Sequence, residues 1–268
     1  RRGSPEESQF GRARGATIDV PQAKSALRKR MRALRASLPD ARRVAADAAI
    51  ARGVLGLSAY RAADVVLSYL SMRDEVETRE IIHDAWMRKK VVALPYCVPH
   101  TCDLRWFRVE RLDGLVRNRF GVEEPDPVTA VEVNWRQAAV PVALVPALCI
   151  DDEGYRLGYG AGFYDRFLAD FTGVSIGLCR AAQRVESLRG LGAVGVFDQP
   201  VDVVVSGWWI KVEAVVRREG EFRGWETTCQ TSRSPGRPVC FPSPRWPRGS
   251  ASIRLGSSLT EAIRPSLT

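Results

Sequence analysis

Between Asp64 and Ser206 short apolar runs alternate with amphipathic or turn-forming segments, and this alternation restricts the possible folds more than any other feature of the chain. Strands are expected at 64–70 (DVVLSYL), 91–94 (VVAL, ending at Pro95), 103–109, 141–146 (PVALVP), 174–178 (VSIGL) and 202–206 (DVVVS). Helices are expected near 78–89 and 161–171. Strands separated by helices predict a largely parallel sheet covered on both faces. The expected fold is therefore α/β, a three-layer α/β/α arrangement with a mostly parallel sheet and Rossmann-like topology. Ligands in such folds sit at the carboxyl ends of strands. The loops after Leu70 and after Pro146 lie at such ends.

Two helices precede the alternation. In 22–38, Leu27, Met31, Leu34 and Leu38 form an apolar stripe at helical spacing. Lys24, Arg28, Arg32 and Arg35 form a basic strip beside it. Pro39 and Asp40 end that helix and open a second, to about Leu57. Residues 1–21 and 211–268 are rich in Gly, Arg, Ser or Pro and are read as tails outside the domain at 22–210. A chain that is 45% hydrophobic and 26% charged is an ordinary globular composition.

No apolar run reaches the roughly 18 residues that span a bilayer, so no membrane association is expected. Six cysteines without a dense framework fit a reducing cytoplasm, and Cys149 reads as a buried free thiol. Cys97, His100 and Cys102 match no paired zinc module. The net charge of +9 suits any polyanion. Solvated tails plus an anion pocket are preferred to a nucleic-acid surface, since no recognition motif is present. A monomer is expected.

The stretch 151–171, DDEGYRLGYGAGFYDRFLADF, carries the chemistry. Gly158, Gly160 and Gly162 alternate before a helix start. Such a loop turns free backbone N–H groups towards one point, which suits phosphate. Arg156 and Asp165 flank it and offer a cation for phosphate and a carboxylate for Mg²⁺. The spacing is neither a P-loop nor a dinucleotide fingerprint. Glycine spacing alone leaves phosphate binding and a tight structural turn equally open. Asp74, Glu75 and Glu77 lie past a strand end, where either a functional loop or an acidic first turn of a helix fits.

RLGYGAGFYDRFL closely resembles the loop signature of the 5-formyltetrahydrofolate cyclo-ligase family. KSALRKRMRALRASL, LSMRDEVETREII, FGVEEP (120–125) and VFDQPVDVVV (196–205) are similar to further family segments and come in the family's order. The resemblance covers about 22–206. It implies a Mg²⁺- and ATP-dependent enzyme acting on a folate. ATP would be bound by Lys24, Ser25, Ala26, Leu27 and Arg28, with Arg28 nearest the reacting phosphate. It would also be bound by Arg156, Leu157, Gly158, Tyr159, Gly160, Ala161, Gly162, Phe163 and Tyr164. The folate would meet Leu70, Glu75 and the run Tyr159 to Phe163. Asp165 and Asp198 would hold Mg²⁺, with Asp202 the neighbouring alternative. Arg28, Arg156 and Tyr164 would be the catalytic groups.

Bland readings stand beside each of these. Lys24 and Arg28 share one helical face, as on any solvated amphipathic helix. Phe163 and Tyr164 suit a core, and an Asp before a strand often caps or turns. Phe197, Ala161 and the long 184–197 segment depart from the family's pattern. The implied reaction converts 5-formyltetrahydrofolate to 5,10-methenyltetrahydrofolate and releases ADP and phosphate. Phosphorylation makes the formyl oxygen a good leaving group, so catalysis is mostly positioning and charge neutralisation. The alternatives are a non-catalytic folate, nucleotide or RNA binder using its basic tails, and an ATP-dependent ligase for another substrate.

Overall fold

Alternate residues of the central strands face opposite ways, and both sets are apolar, so both faces of the sheet must be covered. The computed structural model describes residues 19–118, 121–207 and 209–212. In chain order these form α1 (Val20–Ser37), α2 (Asp40–Gly56), α3 (Ser58–Ala62), β1 (Val65–Leu67), α4 (Arg79–Met87), β2 (Val91–Cys97), β3 (Leu104–Arg108), β4 (Val116–Arg117) and β5 (Glu123–Glu124). There follow β6 (Pro141–Pro146), β7 (Cys149–Ile150), β8 (Arg156–Leu157), α5 (Phe163–Asp170), β9 (Val174–Leu178), β10 (Val203–Ser206) and β11 (Trp209–Val212). The tails expected at 1–21 and 211–268 lie outside the described residues, except for 19–21, 211 and 212.

Seven strands form one sheet in the order β11-β10-β9-β6-β1-β2-β3. β1 pairs in parallel with β2 and β6, β6 with β9, and β9 with β10. The edges β3 and β11 are antiparallel. On one face Val66, Val142, Leu144 and Ile176 pack against Ile50 and Val54 of α2 and Ile81, Ile82 and Ala85 of α4. On the other, Val65, Leu67, Ala143 and Val145 pack with Phe167, Leu168 and Phe171 of α5. Trp106 and Trp135 complete that layer as an aromatic cluster around Phe167. The α/β/α arrangement expected from the sequence is thus present.

Several boundaries differ from expectation, most of all β1, which spans Val65–Leu67 and not 64–70, and two of the differences have clear reasons. β2 runs through Pro95 to Cys97 instead of ending at Pro95. The Val91 N–H points to β1 (onto Asp64 O), while Val92 O faces β3 (accepting from Val109 N–H). By this alternation the nitrogen of Pro95 faces the β1 side, beyond the last β1 pairing at Leu67, where no donor is needed. α5 begins at Phe163 and not at 161, because Gly162 has φ 78° and cannot be helical.

α1 stands apart from the sheet. Its Leu27 and Met31 enter a small cluster with Leu148, Cys149, Leu157, Leu188 and Ala193. Each such buried side chain is worth roughly 1.5–3 kcal/mol. Pro21 falls in the first turn, where its missing N–H is no loss. Among the described residues, no helix is long and apolar enough to cross a membrane.

Candidate active site

A cavity of about 1250 Å³ opens at the carboxyl ends of the parallel strands. Leu70 follows β1, Cys97 ends β2, Pro146 ends β6 and Leu148 follows it along its wall. α1 lines it with Lys24, Arg28, Arg32 and Arg35. The expected basic strip is therefore a cavity wall. Ser25 and Ala26 are exposed and Leu27 is buried in the α1 cluster, so none of these three lines the cavity. The physical reason is helical period: one face of α1 carries residues 24, 28, 32 and 35.

The glycine loop supplies a second wall. Arg156 to Asp165 all line the cavity. Gly160 has φ 110° and Gly162 φ 78°, conformations that side chains rarely adopt. A Cβ on Gly160 would lie 3.2 Å from the guanidinium carbon of Arg28. Arg28 reaches this loop by donating from Nε to Gly158 O at 3.0 Å. Its two terminal nitrogens have no hydrogen-bond partner among the described residues, which leaves them for an anion. The acid turn before the loop is a buried anchor. Asp151 accepts from the N–H groups of Glu153, Tyr155 and Leu188. Burial pushes its carboxyl up, against the pull of those donors.

Two carboxylates converge on the loop from different segments. Asp165, in the first turn of α5, accepts from Arg156 Nη2 at 2.9 Å and from Gln199 N–H at 3.2 Å. Asp198 holds Lys24 Nζ with both oxygens, at 2.7 and 2.6 Å, and accepts from Gly195 N–H. Asp165 thus bonds the backbone of the residue that follows Asp198, and both aspartates line the cavity. Phe197 is 84% exposed and lines the cavity beside Asp198. Asp202 is instead buried, bonding Ser175 N–H and Oγ below the sheet edge, which removes it as the alternative metal ligand. Both terminal nitrogens of Arg156 are engaged, the other donating to Gln199 O. Burial pushes its guanidinium down and Asp165 pulls it back up.

An all-oxygen pair of carboxylates beside a phosphate-ready loop suits Mg²⁺, which takes few protein ligands and completes its shell with water and phosphate. Among the described residues no cluster of three His, Cys, Asp or Glu forms a self-sufficient metal cage.

The loop after β1 forms the third wall. Leu70 is buried and lines the cavity, as does Glu75. One Glu75 oxygen accepts from Met72 N–H at 3.0 Å. Burial pushes its carboxyl up, partly offset by that bond, by the Arg35 charge and by the Tyr159 hydroxyl. Tyr164 packs against the aromatic cluster while lining the cavity, so it is core and site at once. Its hydroxyl is buried with no hydrogen-bond partner among the described residues. Burial first, then the Glu75 charge, pushes its pKa up.

Two further polar side chains support this site, and one of them, Arg180, lies outside every segment named above. Arg180, just past the end of β9, is buried and donates to both carboxylate oxygens of Asp47. It also donates to Asp74 O and Glu75 O, each at 2.8 Å. Glu124 of the FGVEEP segment is buried in the wall, accepting from Cys97 N–H and Asn118 Nδ2. A charge at a strand's carboxyl end was the available signal for Arg180; nothing in the sequence links it to Asp47. A smaller hollow of about 400 Å³ beside Trp106 and Trp135 contains none of the motif residues.

Known proteins carry the same pattern. A family model described as the 5-formyltetrahydrofolate cyclo-ligase family matches residues 20–207. The 5-formyltetrahydrofolate cyclo-ligase of Haemophilus influenzae is 30% identical over 173 residues, 62% of this chain and 90% of the relative. That of Mus musculus is 26% identical over 156 residues, 57% of this chain and 77% of the relative. The NMR structure of Aquifex aeolicus 5,10-methenyltetrahydrofolate synthetase superposes with a TM-score of 0.60 at 25% identity, covering 74% of this chain and 96% of that one. A synthetase from Mycoplasma pneumoniae shares the fold, with a TM-score of 0.53 at 20% identity, over 68% of this chain and 97% of that one. The match spans most of the described residues and every wall of the cavity, and the chain belongs to the 5-formyltetrahydrofolate cyclo-ligase family.

Proposed function

We propose that this cavity is the joint ATP and folate site of a working 5-formyltetrahydrofolate cyclo-ligase. The chain is a ligase of folate one-carbon chemistry, as its family membership implies. In our reading it converts 5-formyltetrahydrofolate to 5,10-methenyltetrahydrofolate and turns ATP into ADP and phosphate. One observation carries the site assignment: Lys24, Arg28, Glu75, Asp165, Asp198 and the glycine loop line one cavity although they come from distant parts of the chain.

The free terminal nitrogens of Arg28 and the N–H groups of the glycine loop bind the triphosphate. Asp165 and Asp198 hold Mg²⁺, which neutralises phosphate charge when bound. Arg156 orients Asp165, and Lys24 orients Asp198. Glu75 accepts a pair of N–H donors from the pterin ring, a pairing its two oxygens allow.

The formyl oxygen forms a bond to the γ-phosphorus as the β,γ-bridging bond breaks and ADP leaves. N10 then attacks the formyl carbon, the carbon–oxygen bond breaks to release phosphate, and the N10 proton goes to water. No side chain need become covalently attached, so the residues position and neutralise. The buried hydroxyl of Tyr164 is a ready donor for the oxygen that gains charge. Burial keeps it protonated.

A reducing cytoplasm is the compartment we favour. The free, buried thiols Cys149 and Cys179, both pushed up to about 12 by burial, support it. Absorbance of the methenyl product tests the activity directly, with 5-formyltetrahydrofolate, ATP and Mg²⁺. Product formation is expected, and no product from folded protein would overturn the reading.

A further inference from the structure

Arg35 lies on α1 with 1% of its surface exposed, although it carries a full charge. A buried guanidinium is costly unless its donors are used. Its partners come from both substrate walls. Nε donates to Asp74 O and Nη2 to Asp74 Oδ1, each at 3.1 Å, in the loop that carries Glu75. Nη1 donates to Tyr159 Oη at 2.9 Å, in the glycine loop. Tyr159 is half exposed, and it lines the cavity together with Arg35, Asp74 and Glu75. The Tyr159 hydroxyl accepts from Arg35 and keeps its own proton to donate. One side chain therefore spans the wall assigned to the folate and the wall assigned to the nucleotide.

We propose that Arg35 is a positioning residue that couples the two ligands, so that a folate and Mg·ATP each tighten the binding of the other through Arg35, Tyr159 and the loop of Asp74 and Glu75. The inference rests on the site assignment above. Two features give it a physical basis. The Glu75 loop is held from beneath by Arg180 and from the side by Arg35, so its position is set. The glycine loop has φ values of 110° and 78° at Gly160 and Gly162 and is tied at Gly158 O and at the Tyr159 hydroxyl. A pterin on Glu75 fixes the loop that carries Asp74, and Asp74 holds Arg35 on the Tyr159 hydroxyl. That arrangement holds the glycine loop where phosphate needs it. A ligand shifts such an equilibrium by its differential affinity for the two loop positions. The effect must be reciprocal.

The test is a binding cycle on the whole protein. The Kd of 5-formyltetrahydrofolate is measured with and without saturating Mg²⁺ and AMP-PNP, and that of AMP-PNP with and without the folate. The wild type is expected to bind the folate at least about fivefold tighter with the nucleotide present, with the same factor in reverse. In Arg35→Met the factor is expected to fall to within about twofold of unity, whatever happens to either single affinity. Tyr159→Phe keeps the Arg35 bonds to Asp74 and removes only the hydroxyl, so it serves if Arg35→Met does not fold. Its factor should fall likewise. Independent binding in the wild type, or an unchanged factor in the folded variants, overturns the coupling. Wild-type protein that binds neither ligand would instead overturn the site assignment.

Discussion

The glycine loop at Arg156–Tyr164 and the acidic loop at Ser71–Thr78 line the same cavity, yet they hold their shapes by opposite means. The acidic loop is fixed by side chains. Tyr69 donates to Val76 O, Thr78 donates to Tyr69 O, Ser71 bonds Glu77, and two buried arginines grip Asp74 and Glu75. The glycine loop has few such ties, and its path depends on positive φ at Gly160 and Gly162. On the assignment proposed above, the difference follows from what each wall would bind. A rigid heterocycle is recognised by a carboxylate held in one place. A phosphate is recognised by backbone N–H groups, which need small residues and close approach. One wall is therefore sensitive to lost side chains, the other to added ones.

Substitutions can break this contrast. Asp165→Asn is expected to lower kcat by about 10²–10³ by removing charge from the metal side. The amide keeps an acceptor for Arg156, so the melting temperature should move little; Asp165→Ala would strand the buried Arg156. Steady-state turnover beside a melting curve checks this, and near-normal kcat would remove Asp165 from the metal site. Glu75→Gln is expected to raise the folate KM by roughly 10–100-fold, the worth of about 1.5–3 kcal/mol for bonds to a charged group. The ATP KM, at a fixed, saturating folate, should rise by no more than the roughly fivefold coupling factor, and equal losses for both ligands would refute the assignment. Gly160→Ala should do the reverse. Strain of roughly 1–2 kcal/mol and displacement of Arg28 raise the ATP KM by about 5–30-fold. A larger effect on folate than on ATP would show that the two walls are not distinct.

The pH profile sharpens the comparison further. Burial raises the Glu75 pKa, so the folded protein holds this proton more tightly than the unfolded chain does. The stability this contributes is present at low pH and is lost as pH rises through the folded value. Ligand-free Glu75→Gln should therefore melt above wild type at pH 7. Folate affinity should weaken, as pH falls, before an ordinary glutamate would titrate. That acidic limb should vanish in the variant, and its persistence would assign the limb to another group.

Sequence reading was strongest where one residue's period or chemistry dictates the outcome. The runs at 141–146 and 174–178 are strands with those bounds, because every residue in them is apolar or small and both faces are buried. Lys24 and Arg28 reach the cavity because their spacing is helical. Ser25, Ala26 and Leu27 do not, because a contiguous motif ignores the turn of the helix. Arg35 was visible as part of a basic strip, but such strips are normally solvated, and its burial depends on Asp74 and Tyr159, 39 and 124 residues away. The Arg180–Asp47 pair spans 133 residues and leaves no local trace at all. Pairings of this kind arise from tertiary packing, to which periodicity is blind.

Helix α1 touches the rest of the protein through a small apolar cluster and through the very cations that line the cavity. Its connection to α2 runs through Leu38 and Pro39, at a half-exposed and an exposed position. A protease cutting there would remove Lys24, Arg28, Arg32 and Arg35 together while sparing the seven-stranded sheet and both of its cores. Clipped enzyme should then be inert yet still melt cooperatively, so loss of activity in an aged or digested sample is no sign that the sheet has unfolded.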